Sequence, residues 1–206
     1  MSGLVVCINT NPTPATRTGV RALVRAVRRL VSSDVRVVER HFLRADAALE
    51  ADAVLLGPQG VPFDAYPPEH RERLFALIRA LQGPLLGVCG GHQALVLAHG
   101  GAIGPVHGGV ASGTYAGHAR ERGFRAVTLS QDTLTRGLPA VATVFASHVE
   151  GVTSLPPTFR LLGTGEACRV QVVRLGDRPI WGVQFHPERG GDGPALLASF
   201  LCAAGL

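Results

Sequence analysis

A chain of 206 residues with 46% hydrophobic content can bury one substantial core, and it holds no apolar run long enough to cross a bilayer. Its net charge of +5 rests on twenty basic residues that are all arginine, so a lysine Schiff base and a phosphate loop built on its usual lysine are both excluded. Four cysteines, at 7, 89, 168 and 202, show no paired spacing, which argues against a zinc knuckle or a disulfide framework and suits a reducing compartment. Met1-Ser2-Gly3 leads at once into a strand-like run with no secretory signal pattern, so a cytoplasmic location is expected, and residues 1–206 read as one domain without internal repeats.

In chain order, the pattern predicts a strand over Leu4 to Ile8. A helix follows, with arginines at 17, 21, 25 and 28 on one face and valines at 20, 24, 27 and 31 on another. That arginine stripe reads as a solvated helix face rather than a nucleic-acid surface. Strands are predicted over Val35 to Val38 and Ala53 to Leu56, a helix from about Glu69 to Leu81, and a strand over Leu85 to Val88. Such alternation implies parallel strands with crossover helices. After a short helix over Gln93 to Ala98 the pattern changes. The stretch Gly100 to Gly117, with His107, reads as a surface connection of two short extended pieces, and its histidine together with His118 lacks the carboxylates or cysteines a metal site needs. Shorter strands are then predicted around Arg125 to Leu129, Val141 to Phe145, Arg160 to Leu162, Val170 to Leu175 and Ile180 to Val183, closed by a helix over Pro194 to Ala203. The expected fold is α/β, a mixed and mostly parallel sheet with helices on both faces and a more antiparallel C-terminal half.

The run Leu85-Leu86-Gly87-Val88-Cys89-Gly90-Gly91-His92-Gln93 ends a strand on a thiol with glycines on both sides. Small neighbours permit a sharp strand-to-helix elbow that lifts a side chain above the sheet edge and points a helix N-terminus at it. The positive end of that helix favours a thiolate. Cys7, in Leu4-Val5-Val6-Cys7-Ile8, lacks such neighbours and reads as a core residue.

A thiol that attacks a carbonyl needs a base that takes the proton and later returns it to the leaving group. The second cluster, Trp181-Gly182-Val183-Gln184-Phe185-His186-Pro187-Glu188, offers an imidazole and a carboxylate two residues apart, on one face if the backbone stays extended. Taken alone, His-Pro-Glu is an ordinary surface turn; together with Cys89 it completes a nucleophile, a base and an orienting group. Gly57, Cys89 and His186 each follow a predicted strand, so all three can meet at the carboxyl edge of one sheet.

These residues resemble the class I, triad-type glutamine amidotransferases, whose motifs read Gly-x-Cys-x-Gly-x-Gln and Gln-Phe-His-Pro-Glu. Gly87, Cys89, Gly91 and Gln93 match the first, and Gln184 to Glu188 match the second. Gly57-Pro58 lies where the family places its oxyanion strand, and Ala146-Ser147-His148-Val149-Glu150-Gly151-Val152 resembles its glutamine-binding loop. Within the family, Ser147-His148, Leu155-Pro156-Pro157 and the run from Gly182 to Glu188 are most similar to stand-alone amidotransferase subunits of GMP synthases. Two segments depart from those subunits: Asn9-Thr10-Asn11-Pro12-Thr13-Pro14 replaces an Asn-Gly-Gly-Gln-like segment, and Gly57-Pro58-Gln59-Gly60 lacks a doubled glycine before proline.

The resemblance implies a flavodoxin-like domain that hydrolyses L-glutamine to glutamate and ammonia, with Cys89 as nucleophile, His186 as base and Glu188 as its orienter. Backbone N–H groups of Gly90 and of the segment at Gly57 would stabilise the oxyanion, and Gln93 with the backbone of the Ser147 to Glu150 loop, Ser147, His148 and Val149 foremost, would hold the amino-acid end of glutamine. No cofactor and no metal are expected, nor a nucleic-acid or membrane partner. Lacking an ATP site of its own, such a chain would pass ammonia to a separate synthase. Two alternatives share these residues: a γ-glutamyl amide or peptide hydrolase that needs no synthase, and a non-catalytic regulatory or binding protein.

Overall fold

A computed structural model describes residues 3–17, 19–109 and 112–206 of the chain. Strand β1 (Leu4–Asn9) leads through helix α1 (Val20–Arg28) to β2 (Arg36–His41), and β3 (Ala53–Leu56) through α2 (Pro68–Ala80) to β4 (Leu85–Val88) and α3 (Gly90–Ala98). The second half contains β5 (Ala102–Pro105), β6 (Glu121–Leu129), β7 (Val141–His148), β8 (Glu150–Ser154), β9 (Phe159–Thr164), β10 (Val172–Leu175), β11 (Ile180–Val183) and α4 (Gly193–Ala203).

Nine strands form one sheet in the order β2-β1-β3-β4-β11-β10-β9-β6-β7. The pairings from β2 through β11 are parallel, and those from β11 through β7 are antiparallel. The expected change of character therefore occurs, and it occurs at β11, which lies beside β4 in register Ile180↔Leu85 to Val183↔Val88. The strand that precedes His186 is thus seated next to the strand that precedes Cys89. Because β1, β3, β4 and β11 run the same way, their carboxyl ends share one edge of the sheet.

Both faces of the sheet are covered, which is why the central strands read as continuous apolar runs rather than alternating ones. On one face α1 and α4 bury Val20, Leu23, Val27, Leu197 and Phe200; on the other α2 and α3 bury Leu74, Ile78, Ala94 and Leu95. Leu85, Leu86 and Val88 of β4 are fully buried between these layers, each worth about 1.5 to 3 kcal/mol of apolar burial. Arg21 and Arg25 point to solvent from α1, as the stripe predicts, but the helix begins only at Val20. Arg17 lies before it and pairs with Glu39 at 3.2 Å.

Two segments differ from the sequence reading. Ser147 and His148 end strand β7 instead of lying in a loop, because the β6–β7 ladder continues to Glu121↔His148. Immediately after Val149, β8 pairs with β5 in a separate two-stranded sheet. That pairing joins residues about fifty positions apart, and Glu150-Gly151-Val152 carries too little alternation to announce it. Among the described residues no helix is long and apolar enough to cross a membrane.

Candidate active site

The turn from β4 into α3 puts Cys89 at φ 50° and ψ −105°, a positive φ shared by no other non-glycine among the described residues. Strain of this kind costs on the order of 1 to 3 kcal/mol and persists only where the surroundings enforce it. Here they do. The Cys89 N–H donates to the Val183 carbonyl at 2.8 Å, and the Cys89 carbonyl accepts from the Gln93 N–H at 3.0 Å. Gly91 packs so closely on β3 that a Cβ there would lie 2.3 Å from the Leu56 carbonyl oxygen, which is why a β-carbon cannot be accommodated at this turn.

His186 is fixed just as firmly. Its N–H donates to the Phe145 carbonyl at 2.8 Å, and Asp192, beyond it, exchanges two hydrogen bonds with the Thr143 backbone at 2.8 and 2.7 Å. The backbone does not stay extended, as the spacing suggested. Pro187 opens a 3-10 turn, Pro187–Arg189, and this turn swings Glu188 back so that its Oε1 lies 2.9 Å from His186 Nδ1. A carboxylate can only accept, so Nδ1 carries the hydrogen and Nε2 is left for the sulfur side. Burial opposes a charge on this imidazole, but the neighbouring Cys89 sulfur and the Glu188 carboxylate outweigh that effect and push it up to about 10.

The three side chains open onto a cavity of about 450 Å³ at the carboxyl edge of the parallel strands. Cys89 is 6% exposed, His186 7%, so the site is screened from bulk water yet reachable through the cavity. Gln184 also reaches inward, its Nε2 lying 3.8 Å from the Cys89 sulfur. Ser147, His148 and Val149 line the same space. The His148 ring turns towards Glu121, Nε2 to Oε2 3.0 Å, and the imidazole beside it holds the Glu121 carboxyl below its ordinary range. His92, the residue after the second glycine, lies fully buried against Gly182; burial and the nearby His148 push it down to about 3, so it stays neutral.

Two sequence expectations change here. The Gly57 N–H is not free to meet an oxyanion, because it donates to the Ile8 carbonyl at 2.9 Å. Pro58 has no N–H, and the Gly60 N–H donates to Asn11 Oδ1 at 2.9 Å. The donor that this segment can offer is the Gln59 N–H, which lies 2.7 Å from where a Gly90 Cβ would stand and so sits beside the first turn of α3. Gln93 is likewise partly committed. Its Nε2 donates to the Glu150 carbonyl at 2.6 Å and to Gln184 Oε1 at 3.3 Å, which ties α3 to β8 and leaves Oε1 as the atom it can present to a ligand.

Six lining side chains were not anticipated: Gln59, Tyr115, Arg120, Arg122, Glu150 and Arg189. The Tyr115 hydroxyl donates to Glu150 Oε2 at 2.7 Å, and the Tyr66 hydroxyl bonds Gln59 Oε1 at 3.1 Å. The signal available beforehand was the chain's scarcity of tyrosine: of its two, Tyr115 lines this cavity and Tyr66 bonds the lining Gln59.

The profile of the family described as Glutamine amidotransferase class-I matches residues 18–203. The chain is 37% identical to a glutamine-hydrolysing GMP synthase subunit of Methanosarcina barkeri over 147 residues, 70% of this chain and 72% of that one. It is 39% identical to the corresponding subunit of Methanosarcina mazei over 146 residues, 69% of this chain and 72% of that one. Among solved structures, a putative GMP synthase subunit from Thermoplasma acidophilum superposes with a TM-score of 0.80 at 22% identity, covering 100% of this chain and 95% of the other. A glutamine amidotransferase from Thermotoga maritima gives 0.74 at 18% identity, covering 99% and 98%. These two structures share the fold.

Proposed function

The chain belongs to the class-I glutamine amidotransferase family, and from that premise we propose that it is the glutamine-hydrolysing subunit of a two-subunit synthase of the GMP synthase kind. Cys89 attacks the side-chain amide carbon of glutamine, and the carbonyl π electrons move to oxygen. His186, protonated by the thiol, delivers that proton to the amide nitrogen, the C–N bond breaks, and ammonia leaves a γ-glutamyl thioester on Cys89. His186 then takes a proton from water, which attacks the thioester and releases glutamate with the thiol restored. Glu188 fixes the imidazole tautomer and supports its cationic form. The Gln59 and Gly90 N–H groups receive the oxyanion, each worth about 3 kcal/mol in the transition state.

The observation that carries this reading is the 2.9 Å His186–Glu188 bond in front of a cysteine held at positive φ. Ammonia goes to a separate synthase subunit that activates the acceptor; the relatives in Methanosarcina are named for GMP synthesis, and the acceptor proposed here is accordingly the purine nucleotide that becomes GMP. The test is ammonia release from free L-glutamine by wild type and Cys89→Ala, with and without a GMP synthase ATP-dependent subunit. Wild type should release ammonia, with a gain on adding that subunit, and Cys89→Ala should release none while keeping its fold. Cleavage of γ-glutamyl dipeptides with glutamine left untouched would overturn the amidotransferase reading in favour of a γ-glutamyl hydrolase.

A further inference from the structure

Strands β6 and β7 pair antiparallel from Glu121↔His148 to Thr128↔Val141, and one face of this ribbon packs into the core through Val127, Ala142 and Val144. The opposite face of such a ribbon is ordinarily polar where it meets water. Here it carries Phe124, Ala126, Val141 and Phe145, with Phe124 52% and Val141 57% exposed. Phe124 and Phe145 sit directly across the ladder from each other and meet edge to face, ring centroids 5.5 Å apart. A half-open aromatic pair, continued along one face by further apolar residues, marks a surface that another molecule covers.

This stripe is continuous with the mouth of the catalytic cavity. A β-carbon at Gly190 or Gly191 would lie 3.8 Å and 3.4 Å from the Phe124 ring, so the ring rests on the turn that follows Glu188. Arg189, in the 3-10 turn just before it, holds its guanidinium 4.8 Å from the centre of the Phe145 ring and lines the cavity. Arg122, opposite Ser147 in the ladder, lines it too, as does Arg120. All three arginines are exposed and form no ion pair among the described residues, so the rim beside the stripe carries positive charge that nothing there neutralises. The outer edge of β7 is already taken, since the His186 N–H donates to the Phe145 carbonyl and the Asp192 N–H to the Thr143 carbonyl. A partner therefore gains no free edge for an added strand and must rest on the face.

We propose that the outer face of β6 and β7 is where the ATP-dependent synthase subunit docks, with an apolar socket that takes Phe124 and Val141 and carboxylates that meet Arg120, Arg122 and Arg189. Apolar and aromatic anchors at the dry centre of such a contact carry most of its affinity, while the charges around them set the encounter rate and the salt dependence. Docked there, the subunit covers the cavity mouth on the side of the turn that bears Glu188. The proposal rests on the two-subunit reading above.

Sedimentation velocity and titration calorimetry with the ATP-dependent GMP synthase subunit of the same host test it, together with ammonia release from L-glutamine by the chain alone. Wild type should form a complex whose Kd rises with added salt, as opposite charges across a wet rim require. Phe124→Ser and Val141→Ser should each raise that Kd about tenfold or more. Both sites are exposed, so the variants should keep the wild-type melting transition, and their ammonia release without the partner should stay within about twofold. Leu49→Ser, at a leucine 53% exposed between β2 and β3, away from β6 and β7, should leave Kd unchanged. An unchanged Kd in both Phe124→Ser and Val141→Ser overturns the proposal, as does an equal loss in Leu49→Ser. A wild-type homodimer that Phe124→Ser dissolves while binding of the synthase subunit persists also overturns it, because a second copy then covers the face. A wild type that releases ammonia yet neither binds the subunit nor gains from it overturns the two-subunit reading, and the docking assignment with it.

Discussion

The Cys89 N–H donates to the carbonyl of Val183 at 2.8 Å, so the residue that ends one motif strand is bonded to the strand that leads into the other motif. With Gly87 opposite Gly182 and Val88 opposite Val183, the ladder fixes the relative height of the thiol and the imidazole before any side chain is placed. Reactivity at Cys89 therefore depends on backbone register as much as on the triad members.

Alanine and glycine at position 89 both remove the sulfur from the strained elbow, but only glycine adopts φ 50° without penalty. Cys89→Gly should therefore be more stable than Cys89→Ala by about 1 kcal/mol, with both inactive. Urea unfolding of the two variants measures the difference, and a more stable alanine variant would show that the elbow stores no strain.

The imidazole gives a pH signature. His186 is raised to about 10 in the folded chain against 6.5 ordinarily, so its contribution to stability is full below about pH 6.5 and is lost as pH climbs through about 10. In Cys89→Ala the sulfur that favours the imidazolium is gone while burial still opposes the proton, so the His186 midpoint should fall. Nitrogen-15 NMR of labelled histidine reads both midpoints; identical values in the two proteins would mean that the thiol and imidazole do not interact.

Replacing Glu188 with glutamine keeps the size of the side chain but lets an amide N–H face His186 Nδ1, which favours the wrong tautomer. Glu188→Gln should lower kcat by about a hundredfold or more with a smaller change in KM. Loss confined to KM would assign Glu188 to substrate binding.

At position 59 the backbone donor and the side chain can be separated. Gln59→Ala retains the backbone N–H, whereas Gln59→Pro deletes it. The proline variant should lose about a hundredfold or more in kcat relative to the alanine variant. Equal rates in two folded variants would return the donor's role to another group.

A β-carbon at Gly91 would press on backbone, not on a yielding side chain. Gly91→Ala should cost about 1 to 3 kcal/mol through displacement of β3 or α3, visible as a lowered urea midpoint, and should slow alkylation of Cys89. Full retention of both would show that the elbow is looser than its packing implies.

Periodicity and local chemistry determined a large part of this protein from sequence alone. Ala53–Leu56, Leu85–Val88 and Ile180–Val183 are strands at their expected limits, because an apolar run bounded by turn residues and buried on both faces has no competing state. Cys89, His186 and Glu188 were legible for a related reason: a nucleophile between glycines and an imidazole two residues from a carboxylate are local patterns.

Tertiary structure decided what depends on partners distant in the chain. Whether the Gly57 N–H is free depends on Ile8, and whether Gln93 can use its amide nitrogen depends on Glu150 and Gln184. Tyr115 acquires a place in the site because its hydroxyl donates to Glu150 while Asp64 accepts from the Gly113 N–H of the same turn. Each backbone donor is satisfied once, and which acceptor takes it is settled by the packing of remote segments, a choice that no local pattern of residues encodes.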